Sequence, residues 1–242
     1  PLSLMQTLGM VALGAEENTY VEIEQTLLGK NDLSLHQNLA SVTCGNLKIA
    51  NSVWIRNTFT DIQNNFLQDV SDYYGADIYK APFNSQTCKD INNWVNKKTD
   101  KMIPEILDNI PAEAVMYLVN ALAFEGEWEE IYEKDQVKNG EFTKSDGETQ
   151  ETEFMYSTEC FYLEDQNAKG FIKYYKGRKY AFAAILPDGN IEDYISSLSA
   201  EKISRLLAGQ TPANVYTELP KFSYEYSANL NDTLGHMGIK KA

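Results

Sequence analysis

Two histidines, His36 and His236, are all that a 242-residue chain offers for imidazole chemistry. A Ser-His-Asp or Cys-His mechanism must use one of them. Neither has a nucleophile and an orienting group at a recognisable spacing, so both read as structural. An H-x-x-x-H metal site is excluded outright. Cys44, Cys88 and Cys160 form an odd, widely spaced set with no C-x-x-C, which removes zinc knuckles and thioredoxin-type exchange and leaves packing thiols as the first reading. G-x-S-x-G, G-x-x-x-x-G-K-[ST] and G-x-G-x-x-G are absent, so no nucleophile elbow or phosphate cradle is expected. No catalytic residue, metal or cofactor is therefore assigned. The polar residue that demands an explanation is Asn120, set inside an apolar run. A buried amide there must find partners or cost roughly 1–3 kcal/mol.

The elements around it follow from periodicity. Leu4, Leu8 and Val11 predict a helix over Ser3–Leu13, and Thr19-Tyr20-Val21-Glu22 has the capping-box spacing for a second. Residues 30–46 read as loop. Lys48–Asn57 alternates with bulk on both faces, Ile62–Tyr74 is helical and stops at Gly75, Ala76–Phe83 is a short strand, and Ser85 to about Thr99 is a helix with Ile91, Trp94 and Val95 inward. Ala112–Glu125 is the strongest strand. It is apolar on both faces, which predicts burial on both sides inside a sheet and not at an edge.

Beyond Trp128 the pattern changes to hairpins, with turns at Ser145-Asp146-Gly147 and Lys176-Gly177-Arg178. Two short helices, Ile191–Leu198 and Ala200–Ala208, an extended run Asn214–Tyr226 and a last helix Leu230–Met237 follow. Helices dominate the first hundred residues and strands the rest, which favours an α+β fold over a βαβ array.

The chain carries 21 Lys+Arg against 35 Asp+Glu, a net charge of -14. Nucleic acid or an anionic membrane as the main partner would be repelled, and no stretch is apolar for the roughly 20 residues that a membrane helix needs. The sequon Asn231-Asp232-Thr233 overlaps a helix start and reads as incidental.

Asn120-Ala-Leu-Ala-Phe124-Glu-Gly126-Glu-Trp128 resembles the pattern of the serpins, the loop-inserting protease inhibitors. Other stretches agree in the family's order: Pro1-Leu2-Ser3 with Leu13-Gly14-Ala15, Ile49-Ala50-Asn51-Ser52, Tyr73-Tyr74-Gly75-Ala76, Ile91-Asn92-Asn93-Trp94-Val95, Ala184-Ile185-Leu186-Pro187 and Leu219-Pro220-Lys221-Phe222. The resemblance runs through essentially the whole chain. It implies one serpin domain over 1–242, incomplete at both ends: the family has a long helix before Pro1, and its reactive loop lies after Ala242. A large, mostly covered sheet with a helical cluster on one side and a smaller β-barrel-like set of strands is the implied architecture.

The resemblance further implies Ser3 and Asn120 as members of the shutter, the polar cluster beneath the sheet where strands part. It implies Phe124, Trp128 and Lys221 as breach residues where insertion starts. The implied function is a suicide inhibitor of a serine protease, or secondarily a cysteine protease, that traps its target by loop cleavage and insertion. The alternative is a non-inhibitory serpin acting as chaperone or carrier. A hydrolase with an unfamiliar triad is disfavoured by the uncoupled histidines. An extracellular or cell-surface location and a bacterial origin are expected, as is a second polypeptide segment completing the fold.

Overall fold

The computed structural model describes residues 2–28, 36 and 46–240. The chain divides into two compact units, Pro1–Glu125 with Ser227–Ala242, and Gly126–Tyr226.

The first unit holds α1 (Leu2–Leu13), α2 (Glu17–Leu28), β1 (Leu47–Arg56), α3 (Asn64–Tyr74), β2 (Asp77–Ala81), α4 (Ser85–Lys98), β3 (Met116–Phe124) and, after the second unit, α7 (Asn231–Met237). α2 begins two residues before the expected cap, so Thr19 falls inside its first turn. α3 stops at Gly75, whose φ of +57° lets its N–H reach back to Ser71 and Val70 carbonyls, a left-handed ending that glycine adopts without a Cβ penalty. α4 opens on Asn84, whose side chain accepts from the Gln86 and Thr87 amides and satisfies two otherwise orphan donors.

β1 is the central strand of a three-stranded sheet ordered β2-β1-β3, parallel to β2 and antiparallel to β3. Its alternation sends Val53 and Ile55 toward Met10 of α1 and Phe66, Val70 and Tyr74 of α3. It sends Trp54 toward Ile91, Trp94 and Val95 of α4. Helices therefore cover both faces of the sheet, not one as expected.

β3 departs from expectation more sharply. Among the described residues it is an edge strand, paired with β1 alone. Val119, Ala121 and Ala123 are buried while Met116, Leu118, Asn120 and Leu122 are half-buried, and Val115, just ahead of the strand, is 41% exposed. Apolar residues on both faces report helices above and below; they carry no information about how many neighbours the ladder has. The strand is also shorter than Ala112–Glu125. Arg56 claims its expected start, donating from Nε to the Ala114 carbonyl at 2.7 Å and from Nη2 to Ala112 at 2.9 Å. Asn92 holds the connection before it, accepting from the Ile106 and Leu107 amides at 3.0 Å each.

The second unit contains β4 (Val137–Thr143), β5 (Thr149–Glu164), β6 (Ala168–Tyr174), β7 (Ala181–Pro187), α5 (Ile191–Ser196), α6 (Ala200–Ala208) and β8 (Thr211–Pro220). Both expected hairpins form, with Gly147 at φ +87° and Gly177 at φ +83° in their turns. The strands run in the order β4-β5-β6-β7, with β8 on the other side of β5. This is an open sheet; β4 and β7 do not meet, so the barrel-like expectation is not realised. Leu163, Ile172 and Leu206 form its buried cluster.

Candidate functional site

Asn51 and Asn120 stand directly opposite one another in the β1–β3 ladder. The register fixes both side chains on one face, and Asn120 Nδ2 donates to Asn51 Oδ1 at 2.8 Å. Asn51 Nδ2 in turn reaches the Tyr74 carbonyl at 2.9 Å and Gln6 Oε1 at 3.4 Å. One buried amide thus ties the end of α3, the middle of α1 and the edge strand. Tyr74 extends the chain outward: its hydroxyl lies 2.7 Å from Nδ1 of buried His36.

Burial holds the His36 imidazole below its ordinary range, against the opposing pull of the Glu24 and Asp69 charges. Burial likewise keeps the Tyr74 phenol protonated far above the usual range. Glu24, also buried, accepts from Tyr20 at 2.7 Å, and burial followed by that bond pushes the Tyr20 phenol up to about 12. Among the described residues Asn120 Oδ1 is buried without a hydrogen-bond partner, an acceptor with a lone pair to offer.

Of the two residues that the resemblance implies for the shutter, Asn120 takes part in this polar cluster. Ser3 is half-buried on α1, where its carbonyl accepts from Thr7; Gln6, one turn further on, is the α1 side chain bonded to Asn51. Sequence reasoning left out Gln6, Asn51, Tyr74 and His36. Asn51 alone had a signal, as a polar residue in an alternating apolar strand.

Of the three remaining assigned residues, Phe124 falls in the first unit and Trp128 and Lys221 in the second. Phe124 is the last residue of β3, opposite Leu47. Trp128 bridges to Tyr175 and stacks on its ring at 4.3 Å and 12°, with Phe182 edge-on at 6.0 Å. Lys221 forms an exposed pair with Glu153 at 2.8 Å. His236 is exposed in the last turn of α7.

Cys88 is buried, its thiol pushed up by that burial and directed at the Leu107 carbonyl at 3.3 Å; Cys160 is exposed. Cys44 lies outside the described residues. No group of three or more His, Cys, Asp or Glu side chains suited to a metal ion occurs among the described residues. No helix among them is long and apolar enough to cross a membrane.

The family profile described as "Serpin (serine protease inhibitor)" matches residues 1–242. The chain belongs to the serpin family. It is 30% identical over 263 residues to the leukocyte elastase inhibitor of Xenopus laevis, covering 99% of this chain and 69% of that protein. Among solved structures it is similar to tengpin, a thermophilic serpin. The latent state matches at 42% identity and a TM-score of 0.92, covering 99% of this chain and 68% of that one. The native state matches at 41% and 0.93, covering 100% and 65%. The chain thus spans about two thirds of the length of these relatives. Its serpin body is equally similar to both tengpin states.

Proposed function

We propose that this chain is the body of an inhibitory serpin that traps a serine protease, or secondarily a cysteine protease, when cleavage of a reactive loop lets that loop add as a strand to the three-stranded sheet. The observation that carries this reading is the polar pair across the β1–β3 ladder. Asn120 stands opposite Asn51, is anchored to it through Nδ2 and keeps a buried Oδ1 unpartnered among the described residues. Serpin loop insertion is a standing example of a strand added to a sheet by main-chain hydrogen bonding. In this reading Ser3 and Asn120, with Asn51 and Gln6, belong to the shutter, and Phe124, Trp128 and Lys221 to the breach. The reactive loop belongs to a segment outside these 242 residues, and the site of action is extracellular or at the cell surface of a bacterium. The support for these finer points is the resemblance itself.

The experiment is incubation of the full-length protein with a panel of serine and cysteine proteases, followed by denaturing electrophoresis. A complex that survives denaturation, with mass equal to protease plus inhibitor body, is expected. Cleavage by every protease with no such complex would overturn the inhibitory reading.

A further inference from the structure

Lys173 of β6 carries its ammonium into the interior of the second unit. Its side chain is 3% exposed and that of Glu159 in β5 9% exposed, with 2.7 Å between Nζ and Oε1. The same Glu159 oxygen accepts from Ser157 Oγ at 2.6 Å. Ser157 Oγ lies 2.9 Å from Thr217 Oγ1 on β8 and 3.4 Å from the Tyr132 hydroxyl. Two rings also face the ammonium, Tyr132 with its centroid at 4.5 Å and Trp128 at 5.7 Å. Two strands and the segment that follows β3 in the chain therefore meet at one cation, and β8 is tied to them through Ser157.

Stability alone does not account for this pair. Removing two charges from water is costly, and well-packed apolar residues of similar volume serve a buried site as well or better. An apolar side chain would fill the space, but it would not select an orientation for the two rings. A cation does, because attraction to an aromatic quadrupole is directed at the ring face, and the carboxylate fixes where the cation stands. We infer that Lys173 is a positioning residue for Trp128 and Tyr132, with Glu159 as the counter-charge that holds it in place. This rests on the breach assignment of Trp128 for its functional meaning and on geometry alone for its physical content.

The test uses the full-length protein labelled with 5-fluorotryptophan. Its resonances from Trp54, Trp94 and Trp128 are assigned by single Trp→Phe replacements. Lys173→Met and Glu159→Gln each strand one buried charge, and each is expected to lower Tm by roughly 10 °C and to displace the Trp128 resonance. The double replacement Lys173→Met/Glu159→Met removes both charges. It is expected to recover most of the lost Tm while the Trp128 resonance stays displaced or broadened. A Trp128 resonance at its wild-type position in the double variant would overturn the inference, since the Tyr175 stack would then suffice to hold the ring. Failure to form a protease complex would remove the inhibitory reading and leave this resonance test unaffected.

Discussion

Asn51 is the residue on which the polar cluster turns, because it both donates and accepts. Asn51→Ala leaves the Tyr74 carbonyl and Asn120 Nδ2 without their partner, and orphaning buried polar groups should cost about 3 kcal/mol in total. Asn120→Ala removes one donor together with an acceptor that is already unpartnered, so about 1 kcal/mol is expected. Urea denaturation of the two variants checks the inequality; equal losses would mean that Asn51 is not the hub. His36 supplies a pH dependence. Its imidazole is held by burial below its ordinary value of about 6.5, so the unfolded chain binds the proton more readily. Stability is then full above that value and is lost as pH falls through it. As pH falls below about 6.5 wild-type stability should decline, and His36→Gln, which stays neutral, should flatten the decline. Asp77 and Asp165, held below their ordinary value, act only at lower pH. Asn120 was legible in the sequence because a polar residue in an apolar strand is conspicuous. Gln6 and Tyr74 were not, since a glutamine on a helix and a tyrosine at a helix end are ordinary until the register and the fold bring them to Asn51.

At the scale of elements, Gly170 is the most tightly enclosed of the described glycines. A Cβ built there would lie 2.2 Å from the Ala184 carbonyl oxygen, inside the β6–β7 ladder where Gly170 faces Ile185. Backbone cannot move aside as a flexible side chain can, so Gly170→Ala should cost roughly 3 kcal/mol. Gly189, with nothing within 4 Å of its would-be Cβ, should accept alanine nearly without loss. Denaturation curves of the pair decide it, and comparable losses would show that the ladder yields. Most elements were readable from period and punctuation: α3 from Ile62, Phe66 and Val70 up to Gly75, and both hairpins from their Asp-Gly and Gly-Arg turns. Sheet order was not. The two-sided hydrophobicity of β3 records α1 and α3 on one face and α4 on the other, and strand sequence alone cannot tell a covered edge from a covered centre.

Across the whole molecule the two sheets differ in their hairpins: among the described residues the first has none, while the second joins β4 to β5, β5 to β6 and β6 to β7 by short connections beside one long-range pair, β5 with β8. Asn51 and Asn120, paired in the first sheet, are 69 residues apart, whereas Thr143 pairs Thr149 and Tyr174 pairs Ala181 in the second. Closing a long loop costs entropy before its contacts return anything, and hairpins form on faster timescales. Pulse-labelled hydrogen exchange during refolding should find β4, β5, β6 and β7 amides protected before those that join β1 to β3; the reverse order would contradict the argument. The second sheet also contains one strand unlike the rest. β5 runs for 16 residues and pairs with β4, β6 and β8. A change of residue in β5 must satisfy up to two neighbouring strands at once, while β4, β7 and β8 each answer to one. Variation among proteins built on this plan is therefore expected to accumulate in the singly paired strands β4, β7 and β8 and to be scarcest along β5.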